Sequence, residues 1–109
     1  MITVTVEKKS GIYVRFQAKG HAGSGKAGRD IVCAAVSALV TNTANSLELL
    51  TDDRPDIVSD DGYVSMSFHE PLSEKGQLLM DALILGLTQT EDSTGSRYLQ
   101  VRIREVNEK

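Results

Sequence analysis

The sequence predicts an α+β fold: a two-layer sandwich of order ββαββαβ, with two helices packed on a mixed, mostly antiparallel sheet of about five strands. Three observations carry this reading. Short segments of alternating apolar and polar residues come in pairs, joined by Ser-Gly or Asp-Gly turns as hairpins are. Each pair precedes a longer segment with helical periodicity. One more alternating segment follows the second helix. A doubly wound parallel sheet would instead alternate single strands with helices.

The first hairpin pairs Ile2, Val4 and Val6 with Ile12, Val14 and Phe16 as inward residues, around a turn at Ser10-Gly11. A glycine loop from Gly20 to Gly28 leads to a helix from about Asp30 to Leu50. Its apolar stripe is Val32, Val36, Leu39, Val40, Leu47 and Leu50. The run Thr51 to Pro55 stops it. A short strand from Asp56 to Ser59, a turn at Asp60-Asp61-Gly62 and the alternation Val64, Met66, Phe68 make the second hairpin. Pro71 and Ser73 introduce the second helix, with Leu78, Leu79, Ala82, Leu83 and Leu85 as core candidates. Thr88 to Arg97 reads as a loop, and Leu99, Val101 and Ile103 as the last strand.

Composition bounds the function. A chain of 109 residues suits one domain spanning 1–109. Tryptophan is absent and aromatics are few, so the core rests on Val, Ile, Leu and Ala. The net charge of −3 argues against direct nucleic-acid binding. Neither a signal peptide nor a membrane-length apolar run is visible, so no membrane partner is expected. A lone cysteine makes no internal disulfide and no four-cysteine zinc site, and the cytoplasm is the default compartment. His69 lacks a second histidine at ligand spacing and sits out of phase with Val64, Met66 and Phe68. It reads as a solvent-facing residue, and no metal is expected.

The chemistry concentrates in Gly20 to Val40, which holds the sole cysteine, Cys33, and one of the two histidines, His21. With Asp30 as N-cap, Cys33 is the third residue of the helix. Backbone N–H groups there have no intrahelical acceptor, and the helix end is partly positive. Both favour thiolate over thiol. Cys33 borders the apolar stripe beside Ser37 and Thr41, so it can be packed on one side and open on the other. His21 stands where it can act as base and then as acid. Asp30 has two candidate roles, capping the helix or orienting His21. Asp52 and Asp53 are other carboxylates, but lie at the far end of the helix. Gly20, Gly23, Gly25 and Gly28 give the intervening loop backbone freedom to open for a substrate.

Three other readings compete on residues alone. Free cysteine is commonly a small core residue. A small acidic domain can also dock on a basic ribosomal partner without catalysis. Gly20 to Lys26 matches a phosphate-binding loop until Ala27, where a magnesium-holding Ser or Thr is required.

The block Gly20-His21-Ala22, Gly28, then Asp30-Ile31-Val32-Cys33-Ala34-Ala35-Val36-Ser37-Ala38-Leu39 resembles the signature of the bacterial ribosomal-processing cysteine proteases, the Prp family. The twelve-position step from His21 to Cys33 fits that pattern, and the resemblance covers nearly the whole chain. It implies a cytoplasmic, cofactor-free and usually homodimeric cysteine endopeptidase. Its substrate would be the precursor of large-subunit ribosomal protein L-twenty-seven, which loses a short N-terminal extension. The resemblance maps the nucleophile onto Cys33, the base onto His21 and the family's aspartate onto Asp30. It also implies an apolar cleft, because the family's substrates carry aromatic residues before the cut.

Overall fold

The computed structural model describes residues 1–21 and 30–106. Its elements are β1 (Ile2–Lys9), β2 (Ile12–Lys19), α1 (Ile31–Leu50), β3 (Asp56–Asp60), β4 (Tyr63–Ser67), α2 (Glu74–Thr94) and β5 (Leu99–Glu105). The strands form one five-stranded sheet in the order β3-β4-β2-β1-β5. Only β1 and β5 run parallel, because α2 carries the chain across to β5; the other neighbours are antiparallel. The predicted class, element order and mixed sheet agree with this architecture. Among the described residues, no helix is long and apolar enough to cross a membrane.

One sheet face carries Val4, Val6, Phe16, Ala18 and Met66, all buried, against Val32, Val36, Val40 and Leu47 of α1 and Met80, Leu83 and Leu87 of α2. Burying each such side chain contributes about 1.5–3 kcal/mol, so this layer dominates the stability. The helices meet where Gly86 faces Leu39; a Cβ at Gly86 would lie 3.3 Å from a Leu39 methyl. The opposite sheet face stays polar, with Arg104 bonded to Glu7 and Arg15 to Gln17 and Tyr63.

The first hairpin turns on Ser10 (φ 52°) and Gly11 (φ 77°), both left-handed, which matches the twist of the strands. Beyond it the pairing slips. Glu7 faces Arg15 but Lys8 faces Tyr13, so Val14 is an extra residue on β2. The slip buries Tyr13, whereas the simple alternation predicts Ile12 and Val14; Ile12 is exposed. The Tyr13 hydroxyl donates a short hydrogen bond to Asp81. Burial, then that bond and the Asp81 charge, push the phenol well above its ordinary range.

Both helices depart from the predicted stripes. In α1, Leu50 is exposed and Thr43 is buried instead, its hydroxyl donating to Leu39 O at 2.8 Å. In α2, Leu78, Ala82 and Leu85 point outward, while Met80, Ile84 and Leu87 join Leu83 in the core. A leucine-rich helix offers two plausible stripes, and the sheet selects one. Most of the expected loop from Thr88 is nearly two further turns of α2, which ends at Thr94. Thr90, Ser93 and Thr94 each donate to the carbonyl four residues back, so their polarity does not end the helix. Gly95 ends it, at φ 101° with its N–H on Glu91 O.

Candidate active site

The β2–β4 register pairs Lys19 with Tyr63. Residues 20 and 21, just past β2, therefore meet the β3–β4 turn. The Gly20 N–H donates to Gly62 O at 2.8 Å. Gly20 has φ 103°, and a Cβ there would stand 2.3 Å from the Met1 carbonyl, so this corner accepts only glycine. The His21 carbonyl accepts from the Met1 nitrogen. The imidazole then lies against Gly62, whose Cβ, if present, would be 2.7 Å from Nε2. Nε2 stands 4.0 Å from Asp61 Oδ1.

On the other side of the sheet corner, Asp30 caps α1. Its Oδ1 accepts from the Cys33 N–H at 3.0 Å, and its carbonyl accepts from the Ala34 N–H at 3.1 Å. Cys33 is a free thiol in the first turn, half-buried, packed against the core on one side. That turn holds no acidic side chain.

Cys33 and His21 open onto one cleft of about 300 Å³. Its wall is a single stripe of α1: Cys33, Val36, Ser37, Val40 and Thr41. Its floor is Ile2, Ala18 and Val64 from three neighbouring strands, and the residues from Ser59 to Gly62 close one end. A thiol, an imidazole and an apolar floor thus share one concavity, an arrangement able to seat an extended peptide beside the thiol.

Other sequence candidates sit elsewhere or outside the described residues. Gly23, Gly25 and Gly28 of the glycine loop, and Lys26, lie outside them. The strand before that loop, β2, is antiparallel to both neighbours, unlike the parallel strand that feeds a phosphate loop. Asp53 belongs to α2: it accepts from the Ser73 N–H at 3.0 Å and hydroxyl at 2.7 Å, and Ser73 Oγ caps Gly76 N–H. Burial would raise the Asp53 carboxyl. The Ser73 hydrogen bonds, Thr51 and the Arg54 charge outweigh it and hold Asp53 below its ordinary value. His69 is exposed and bonded to Asp56. Among the described residues, no three His, Cys, Asp or Glu side chains gather as a metal site.

Asp61 and Gly62 are the site neighbours that sequence reading reduces to turn chemistry. Their place beside His21 depends on the β2–β4 register, for which the residues offer no local signal.

Comparison with known proteins adds an independent line. A family model described as Cysteine protease Prp matches residues 1–99. The Ribosomal processing cysteine protease Prp of Bacillus subtilis (strain 168) is 35% identical over 99 residues, covering 84% of this chain and 88% of the relative. The crystal structure of the ribosomal processing protease Prp from S. aureus with a covalently linked product peptide superposes at TM-score 0.90 and 29% identity, over 95% of this chain and 100% of that one. The same protease with a substrate peptide gives TM-score 0.85 at 28% identity, over the same shares.

Proposed function

The chain belongs to the Prp family of cysteine proteases, and from that premise we propose that Cys33 and His21 remove the N-terminal extension from the precursor of ribosomal protein L-twenty-seven. The single observation that carries the assignment is that the only cysteine and His21 open onto one cleft with an apolar floor. A peptide laid in the cleft brings its scissile carbonyl to Cys33 Sγ. The helix end stabilises the thiolate as His21 takes the proton. Attack gives a tetrahedral oxyanion, which collapses to a thioester as His21 protonates the leaving amine. Water, deprotonated by His21, then releases the acid and restores the thiol.

In the free chain the Cys33 N–H is engaged by Asp30. An oxyanion next to Sγ would compete with the cap for that donor, so helix capping and oxyanion binding share one group. The floor of Ile2, Ala18 and Val64 suits an apolar side chain next to the cut.

The same reading makes the enzyme a cytoplasmic homodimer that needs no cofactor and contacts no nucleic acid or membrane. Support for the dimer comes from the outer surface of the helix layer. From Ile31 to Leu47, α1 has no charged side chain, and α2 exposes Leu78, Ala82 and Leu85 along one line. The test of the substrate is direct. Purified protein mixed with extension-bearing L-twenty-seven shortens it to one product by mass spectrometry and leaves the mature form untouched. A precursor that survives stoichiometric enzyme sinks the substrate assignment.

A further inference from the structure

A cysteine–histidine pair works best when a third group fixes the imidazole. The sequence offers Asp30 for that task, yet its Oδ1 is committed to the Cys33 N–H. The structure brings a different carboxylate to the ring. We propose that Asp61, in the β3–β4 turn, is the positioning residue for His21, with Gly62 as the surface on which the imidazole rests. This rests on the protease reading above.

Four contacts build the seat. The Gly20 N–H on Gly62 O, at 2.8 Å, ties the chain just before His21 to the turn. Gly62 has no Cβ, and any Cβ there would collide with Nε2 at 2.7 Å. Asp61 Oδ1 faces Nε2 at 4.0 Å. The turn itself is held by the Asp61 N–H on Asp60 Oδ1, at 2.8 Å. With Nε2 turned to the carboxylate, Nδ1 is left to exchange the proton with Cys33 Sγ. The Asp61 carboxylate balances the imidazolium formed when Sγ attacks. Both side chains are solvated in the free chain, at 63% and 95% exposure, so the pair is loose before substrate arrives. A peptide in the cleft excludes water from the pair and strengthens it.

The test is a double-mutant cycle with two readouts, cleavage of the precursor and the rate at which iodoacetamide alkylates Cys33. Asp61→Asn keeps the turn chemistry and removes the charge. It lowers kcat by at least about fivefold, the factor that one unit charge at 4 Å is worth in water, and leaves KM unchanged. It slows alkylation of the substrate-free chain by a smaller factor, because there the pair is solvated, and Asp61→Glu recovers most of both losses. In a His21→Ala background Asp61→Asn has no further effect, because its action passes through the ring. Gly62→Ala, which displaces the imidazole, repeats the kcat loss with unchanged KM. Wild-type rates in Asp61→Asn, or an equal loss with and without His21, overturn the positioning role. Absence of cleavage by the wild type would instead sink the protease reading, and the alkylation rates would still judge Asp61.

Discussion

The two halves of the molecule are each a hairpin followed by a long helix, yet their helix N-termini are treated in opposite ways. α2 follows β4 after a short connection and starts in a closed network. Ser73 caps it, Asp53 holds Ser73 from across the fold, and Glu74 occupies the first turn. Its positive end is answered by the fold's own carboxylates. α1 follows β2 after eleven residues, 20–30, and has one cap, Asp30. Its first turn holds no acidic residue, and Cys33 stands there beside a cleft. One helix start is closed within the fold; the other, capped by Asp30, borders the cleft.

The largest effect that sharpens this contrast is at His21. His21→Ala lowers kcat by about 10²–10⁴, the usual scale of acid–base catalysis, with KM and melting temperature near wild type. Turnover like wild type would mean that the open end of α1 uses another base. Next is Gly76, in the closed half. A Cβ there would stand 2.1 Å from Asp53 Oδ2, so Gly76→Ala breaks the network and costs about 2 kcal/mol in urea unfolding. Its cleavage rate per folded molecule should not change.

The caps come third. Asp30→Ala and Ser73→Ala each cost about 1 kcal/mol, or roughly 4–8 °C in Tm. Only Asp30→Ala should also change kcat, because only that cap touches the Cys33 N–H. Equal kcat in both variants would break the contrast. The smallest effect is the pH dependence of the closed end. Asp53 is held below its ordinary value in the fold, so the unfolded chain takes up that proton first as pH falls. Its contribution is complete at neutral pH and is lost as pH drops from about 4 through the folded value. The group is half-exposed, so the amount is under about 1 kcal/mol. The Tm gap between wild type and Asp53→Asn should narrow from pH 7 to pH 3; a gap that widens has the wrong sign.

Much of this was legible because it is local. Alternation marked β1 and β4, Ser-Gly and Asp-Gly marked both turns, and Asp30 and Ser73 marked both helix starts. The bulge at Val14 was not legible, because it follows from pairing across strands rather than from β2 alone. The α2 stripe held only at Leu79 and Leu83, for a related reason: Leu78, Ala82 and Leu85 are as apolar as Met80, Ile84 and Leu87, and only the sheet distinguishes them. At the site, Cys33 and His21 stood out by rarity and by their step along the chain. Asp61 did not, because its nearness to His21 is set by the pairing of Lys19 with Tyr63.

The central claim is that Cys33 is the nucleophile at the open end of α1. Single-turnover cleavage of extension-bearing L-twenty-seven by Cys33→Ala, with folding verified by circular dichroism, tests it most directly. The account predicts a folded variant that binds the precursor and leaves it uncut over many wild-type half-lives; product formed at the wild-type rate would contradict it.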